Sequence, residues 1–317
     1  MTSETLSLVA DVGGTNSRVA LSRGGEVLTA TRYRNADYPG LGAVFAQFLS
    51  DQGEPPVRGA CIAMAGPVLD GVGRLTNLDW TFDRDALAQA TGAGTAAILN
   101  DLQAQGHALD HLTENSVYRI VPGPEGDLLN AKLCIGVGTG FNAVPVFRTE
   151  TGRYVPPCEA GHTTLPVVSQ ADFDLARHVS VHHGFAGTED VLSGRGLERI
   201  YTWASGGPHL SSTEIMAAAD QEDPVAQQAV EAFVQALGRV AGDLALTHLP
   251  FAGIYLVGGM TNAMRPHLAR FGFDEAFRSK GRFSEFMSRF AVFGVEDDYA
   301  ALTGCAQHLN GLLRNGH

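Results

Sequence analysis

The alternation of apolar and polar positions divides the chain into short strands and longer helices. Leu6-Ser7-Leu8-Val9-Ala10 and Val19-Ala20-Leu21 flank Asp11-Val12-Gly13-Gly14-Thr15-Asn16, and the turn Arg23-Gly24-Gly25-Glu26 leads to a further β-forming run. The pattern predicts a three-stranded antiparallel meander of about Thr5 to Asp11, Asn16 to Leu21 and Val27 to Tyr33. Leu41, Val44, Phe45, Phe48 and Leu49 then fall on one face of a helix. Gly59 to Met64 and Thr95 to Leu99 read as buried strands, separated by a short helix, Asp83 to Ala90, with Asp83 as its N-cap. A helix follows from about Leu102, which makes the opening order βββαβαβ.

Around Pro122-Gly123-Pro124-Glu125-Gly126 the pattern becomes irregular, and a domain boundary is expected just before it. Lys132 to Val137 and Phe141 to Phe147 then form a second strand pair around Gly138-Thr139-Gly140. From about Asp172 to Asp220 the chain reads as helices with glycine breaks. Within it, Val191-Leu192-Ser193-Gly194 reads as a helix end followed by a turn. A long amphipathic helix carries Val230, Phe233, Leu237, Val240, Leu244 and His248 near one face and stops at Pro250. Gly253 to Val257 is a buried strand closed by Gly258-Gly259-Met260, and a final helix runs from about Tyr299 to Leu313.

A length of 317 residues suits two domains. The 34 acidic residues outnumber the 22 basic ones, for a net charge of −12, and no basic cluster stands out, so nucleic acid is not an expected partner. Such a chain has to bind an anionic nucleotide through local donors and a metal rather than its overall field. Cys61, Cys134, Cys158 and Cys305 are scattered with no CxxC pair, which fits a reducing cytoplasm and argues against a cysteine zinc site. Met1-Thr2-Ser3-Glu4 does not open a signal peptide, and no apolar run is long enough to span a membrane, so a cytoplasmic location away from membranes is expected.

Three strand-then-glycine turns carry the candidate phosphate chemistry: Asp11 to Thr15, Gly136 to Gly140, and Gly258-Gly259. Glycine lets backbone approach a phosphate closely, and successive N–H groups in a turn make an anion-binding concavity. Asp11 can orient a hard divalent cation beside it, and Gly258-Gly259, at a helix start, can seat an adenosine. The first of these turns is equally a common hairpin, and the last a plain helix entry. No Gly-x-x-x-x-Gly-Lys-Ser/Thr loop and no Gly-x-Gly-x-x-Gly in the first βα segment is found, which excludes a P-loop and leaves a dinucleotide fold unsupported. Asn100-Asp101 closes a buried strand, where open α/β sheets place ligands. Asp101 can accept a proton from an attacking hydroxyl there, or cap the next helix. Glu159 and His162 suit hydrogen bonding to sugar hydroxyls better than a metal pair, since further ligands are not close in sequence. Glu189 taken alone reads as a solvated side chain, and Trp80 as core.

Taken together, these motifs resemble the bacterial ATP-dependent glucokinase family, within the actin/hexokinase/Hsp70-like ATPase fold. The resemblance runs nearly end to end. Its carriers are Asp11-Val12-Gly13-Gly14-Thr15-Asn16, Asp37-Tyr38-Pro39, Leu75-Thr76-Asn77 with Trp80, Asn100-Asp101, and Gly138-Thr139-Gly140. Glu159 with Gly161-His162, Val191-Leu192-Ser193-Gly194, Gly258-Gly259, and Phe277 with Lys280-Gly281-Arg282-Phe283 complete the set. It implies a two-domain α/β architecture of ribonuclease H-like, actin-like type: mixed sheets flanked by helices, with an interdomain cleft that closes on sugar. Residues 1–110 plus 300–317 would form a smaller N-terminal domain and 111–299 a larger one.

The resemblance also implies a sugar kinase that transfers the ATP γ-phosphoryl group to the 6-hydroxyl of glucose. Asp101 would be the general base, with Asn100, Asp101, Glu159, His162 and Glu189 on the sugar. Asp11, Gly13, Gly14, Thr15, Asn16, Gly138, Thr139, Gly140, Gly258 and Gly259 would hold ATP, and Asp11 would hold Mg²⁺ through water. A homodimer is common in the family. Two departures bear on the sugar: Asn142 follows Phe141 where the family usually has glycine, and Pro157-Cys158-Glu159-Ala160-Gly161-His162 lacks two of the usual glycines. They keep open a kinase of another hexose or an amino sugar. The related repressor/kinase (ROK) family is disfavoured, since its cysteine-rich zinc motif does not follow His162. A non-catalytic sugar-sensing regulator is also less expected, because the first strand opens near Thr5, without room for a preceding helix-turn-helix, and Asp101 is intact.

Overall fold

The computed structural model describes residues 5–314 apart from 76, 77, 79, 128, 151 and 208. Thr76 and Asn77 of the family resemblance lie outside the described residues. The chain separates into two compact units: 1–112 with 148–157 and 297–317, and 113–147 with 158–296.

In the first unit, β1 (Leu6–Val12), β2 (Asn16–Arg23) and β3 (Glu26–Arg34) form the expected meander. After α1 (Leu41–Asp51) comes β4 (Val57–Met64). The short strands β5 (Val68–Leu69), β6 (Val72–Arg74) and β7 (Thr81–Asp83) follow, then α2 (Arg84–Thr91), β8 (Thr95–Asn100) and α3 (Asp101–Ala108). The main sheet has the order β3-β2-β1-β4-β8. Its β1, β4 and β8 are parallel, with Val12 beside Met64 and Met64 beside Asn100. Side chains alternate between faces. Leu8, Ala10 and Val12 join Phe45, Phe48 and Leu87 on one side, while Val9 joins Cys61, Leu99 and the C-terminal helix residues Leu302, Cys305 and Leu309 on the other. Burial on both faces is why β1 and β4 read as nearly continuous apolar runs. Asp83 caps α2 by accepting from the Ala86 N–H at 2.7 Å, a bond of a kind that stabilises a helix by about 1 kcal/mol. Trp80 packs against this core.

The second unit opens with β9 (Val117–Val121), followed by β10 (Lys132–Val137) and β11 (Phe141–Thr149). The segment 148–157, which carries β12 (Gly152–Tyr154), clusters with the first unit. Sequence analysis expected it in the larger domain. It sits where it does because Gln103 donates to the Val155 carbonyl at 2.9 Å and Arg153 pairs with Asp110. Next come α4 (Gln170–Ser180), α5 (Gly194–Ser205), α6 (Ser212–Asp220), the long α7 (Pro224–His248), β13 (Ile254–Val257), α8 (Gly259–Leu268), α9 (Phe273–Arg278) and β14 (Val292–Val295). The six-stranded sheet has the order β12-β11-β10-β13-β14-β9. Val230, Phe233, Leu237 and Ala241 of α7 pack with Leu133, Ile135, Ile254 and Leu256 of the sheet. The last helix, α10 (Ala300–Arg314), belongs to the first unit.

Three features differ from the sequence reading. The β5-β6-β7 sheet is formed where none is expected, turned at Asp70-Gly71, both with positive φ. Strands β9 and β14 pair with each other and extend the second sheet. Val191 to Gly194 is a helix start rather than a helix end: Ser193 is the N-cap of α5, accepting from the Gly196 N–H at 2.9 Å.

Helix α10 approaches α3 so closely that a Cβ at Gly304 would fall 1.7 Å from the Ala104 carbonyl oxygen. Between these helices the rings of His107 and His308 lie tilted against each other, with centroids 4.5 Å apart. Burial lowers their pKa values to about 3 for His107 and about 4 for His308, helped by His308 in the first case and Arg84 in the second. Both are therefore neutral in the folded state, whereas in the unfolded chain they take up protons below about pH 6.5. Stability consequently falls as pH drops through the window from about 6.5 to about 4, by at most about 1.4 kcal/mol per pH unit for each histidine, the half-buried His308 contributing less. Denaturant titrations at pH 7 and pH 5 should show this loss, and the double variant His107→Gln, His308→Gln should flatten it; an unchanged pH slope would rule the pair out as its source.

Candidate active site

The first unit presents two of the expected elements at one sheet edge. The turn Gly13 to Thr15 leaves the carboxyl end of β1, and Asp101 leaves the carboxyl end of β8. One strand, β4, lies between, so the two are about 10 Å apart, two strand spacings. The turn is fixed by a buried side chain that sequence reading did not single out. Asn35 donates to the Gly13 carbonyl at 2.7 Å, accepts from the Ser17 hydroxyl at 2.8 Å, and its own N–H donates to the Thr15 carbonyl at 2.9 Å. A concavity of about 210 Å³ is lined by Asp11, Gly13, Thr15, Asn16, Arg18 and Arg32.

Arg18 sits opposite Arg32 on the β2–β3 ladder and pairs with Asp11 at 3.3 Å. Burial raises the Asp11 carboxyl pKa, and the Arg18 guanidinium opposes that rise. Two guanidiniums against one carboxylate make this hollow locally positive in an acidic chain, which suits a polyphosphate. The alternation of β2 and β3 is the signal that could have found them: Arg18 and Arg32 are registered partners. A larger cavity, about 420 Å³, lies at the other end of β1, lined among others by Arg23, Arg58 and Arg314, and holds none of the expected site residues.

Asn100 and Asp101 are held by a capping box. Asn100 Oδ1 accepts from the Leu102 N–H at 2.9 Å, and Gln103 Oε1 accepts from the Asn100 N–H at 3.1 Å. Asn100 Nδ2 donates to the Gly66 carbonyl at 2.9 Å. The capping role considered for Asp101 therefore belongs to Asn100. Asp101 is the first residue of α3, half-buried, with Oδ1 accepting from the Leu102 N–H at 2.8 Å.

In the second unit the elements meet at the start of β11. Glu189, read from sequence as solvated, instead accepts from the Phe141 N–H at 2.9 Å and faces Arg195 at 4.0 Å. The loop carrying Glu159 and His162 is laced to the loop carrying Glu189. The Glu189 N–H donates to the Gly161 carbonyl and the Thr188 N–H to the Thr163 carbonyl, both at 2.9 Å. Gly161 is buried against the Phe141 carbonyl, whereas Glu159 and His162 are exposed. Gly138 donates to the Gly140 carbonyl at 2.9 Å, and the Gly194 N–H ties the start of α5 to the Gly138 carbonyl at 2.9 Å. Thr139 stands exposed at the tip. Gly258 and Gly259 open α8, with Gly258 at φ 102°.

The glucokinase family model matches residues 8–311. The chain belongs to the glucokinase family. A glucokinase of Pseudomonas paraeruginosa is 34% identical over 97% of this chain and 93% of its own length. A glucokinase of Marinobacter nauticus is 32% identical over 98% of both. The crystal structure of a glucokinase from an Antarctic psychrotroph superposes with a TM-score of 0.86 at 30% identity, covering 96% of this chain and 98% of that one. The glucokinase fold expected from sequence, mixed sheets flanked by helices, is the fold observed.

The glycine turns of this glucokinase-family chain are not equivalent. A Cβ at Gly258 would lie 2.5 Å from the Val137 carbonyl oxygen at a φ that L-residues avoid, whereas a Cβ at Gly138 meets nothing within 4 Å. Gly258→Ala should therefore cost about 2 kcal/mol or more of stability, and Gly138→Ala should stay within about 0.5 kcal/mol of the parent. Denaturant midpoints check both; equal midpoints for the two variants would contradict the packing described.

Proposed function

We propose that this chain transfers the γ-phosphoryl group of ATP to the 6-hydroxyl of glucose, giving glucose 6-phosphate and ADP. The observation that carries the proposal is the common sheet edge of the Asp101 carboxylate and the Asn35-clamped Gly13–Thr15 turn. Phosphoryl transfer asks mainly for positioning and charge neutralisation. The Gly13 and Gly138 N–H groups close their own turns, on the Asn16 carbonyl at 3.0 Å and the Gly140 carbonyl at 2.9 Å, and the backbone N–H groups of Gly14, Thr15, Thr139 and Gly140, with Asn16, Arg18 and Arg32, bind the phosphate oxygens. Gly258 and Gly259, at the amino end of α8, support the nucleoside. Asp101 takes the proton from the 6-hydroxyl as the bond to phosphorus forms. The remaining sugar hydroxyls are assigned to Asn100 in the first unit and to Glu159, His162 and Glu189 in the second.

A divalent cation fits this donor set. Burial holds the Asp11 carboxyl up, and a positive charge nearby relieves that cost. Among the described residues no group of three His, Cys, Asp or Glu could hold a metal, so Asp11 would meet Mg²⁺ through water while phosphate oxygens supply the direct ligands. When bound, Mg²⁺ neutralises phosphate charge. The same reading includes a homodimer working in the cytoplasm; among the described residues no helix is long and apolar enough to cross a membrane.

A second reading, a kinase of another hexose or an amino sugar, is favoured by Asn142, Cys158 and Ala160 at positions where the family usually has glycine. An ADP-release assay over a sugar panel separates the two: glucose should rank first in kcat/KM, and glucose well below another hexose would replace the first reading with the second. Asp101→Ala should lower kcat at least about a hundredfold, since a general base contributes about 10²- to 10⁴-fold, with ATP affinity little changed. A variant of near-parental kcat would remove Asp101 from the chemistry.

A further inference from the structure

The first two residues of β11 hold both carboxylate-bearing loops of the second unit. The Phe141 N–H binds the Glu189 carboxylate at 2.9 Å. The next side chain, Asn142, takes the other loop. Its Nδ2 donates to the Cys158 carbonyl at 2.6 Å, and its Oδ1 accepts from the Ala160 N–H at 2.9 Å and from the Ala143 N–H at 2.8 Å. The two loop groups it binds are the carbonyl just before Glu159 and the amide just after it. Glu159 itself sits at φ −130°, ψ 55°, outside the regular strand and helix conformations. Its side chain is exposed and makes no hydrogen bond or ion pair to a described residue. One amide side chain thus fixes the two peptide planes that aim an otherwise unpartnered carboxylate.

We infer that Asn142 is a positioning residue that aims Glu159 at the sugar and thereby sets sugar affinity and selectivity. The inference rests on the assignment of Glu159 to sugar binding and adds what makes that carboxylate preorganised. Asn142 stands on a strand, opposite Gly136 in the β10–β11 register, and its bonds are roughly neutral in charge. Its three partners are backbone groups that every rotamer of Glu159 shares, so the restraint acts on direction rather than on charge. A carboxylate held in its binding direction loses less freedom when it engages a hydroxyl.

Asn142→Ala removes all three bonds, and Asn142→Asp keeps the two accepted ones while losing the donor to Cys158. For Asn142→Ala we expect KM for the preferred hexose to rise about tenfold, as for two modest hydrogen bonds lost. Little change is expected in kcat, the signature of lost uniform binding, and none in KM for ATP. Hydrogen exchange should speed up at the Ala160 amide in Asn142→Ala and stay protected in Asn142→Asp. Parental KM for the hexose with parental exchange at Ala160 would overturn the inference, as would a lower thermal midpoint with both KM values unchanged. The parent's own turnover over the sugar panel judges the kinase reading separately. If the parent turns over no hexose, that reading fails, while exchange at Ala160 still decides whether Asn142 holds the loop.

Discussion

The parallel hydrogen-bonded ladder of β1, β4 and β8 is the constraint on which the proposed site depends. Its register places Val12, Met64 and Asn100 side by side, so the residues that leave these strands emerge at one edge. Neither the glycine turn after β1 nor the carboxylate after β8 would be useful elsewhere along its strand. The ladder is buried on both faces, and burial fixes register because a slip of one residue would turn every core side chain outward. The glycine turn and Asp101 are thus carried by strands buried on both faces.

The second unit solves a related problem with less regular structure. Two loops are indexed to the start of one strand, β11, by a backbone amide at Phe141 and a side-chain amide at Asn142. Gly161 allows the first loop to lie against the Phe141 carbonyl, where any side chain would collide. The two carboxylates are then placed by hydrogen bonds to backbone, which tolerate variation in the surrounding side chains. That arrangement explains how a loop with cysteine and alanine in place of glycines still presents Glu159.

Much of this was legible from the chain. The β1–β2 turn, the Asp83 cap, the strand ending at Asn100 and the long α7 follow from period-two and helical spacing and from turn chemistry. What escaped depended on partners far away in sequence. Glu189 looks solvated until the Phe141 N–H, 48 residues earlier, comes beside it. Asn35 is one polar residue among several before Asp37, and only the fold shows it buried against the Gly13 turn. The helix start at Ser193 was misread because Val191 and Leu192 are apolar like a helix interior, although a serine followed by two glycines and a charged face is also an N-cap. Strands β9 and β14 are short and gain their stability from each other and from the sheet, not from local pattern. The β5–β6 hairpin was missed despite its Asp70-Gly71 pair, a recognised turn signal.

The central claim is that the Asp101 carboxylate meets the attacking hydroxyl while the Gly14 and Thr15 amides meet phosphate. A crystal structure with glucose and a non-hydrolysable ATP analogue tests it most directly. The account predicts an Asp101 carboxylate oxygen about 3 Å from the sugar O6, and analogue phosphate oxygens on the Gly14 and Thr15 amides. An O6 bound by another group, with Asp101 beyond the reach of a hydrogen bond or a single bridging water, would contradict it.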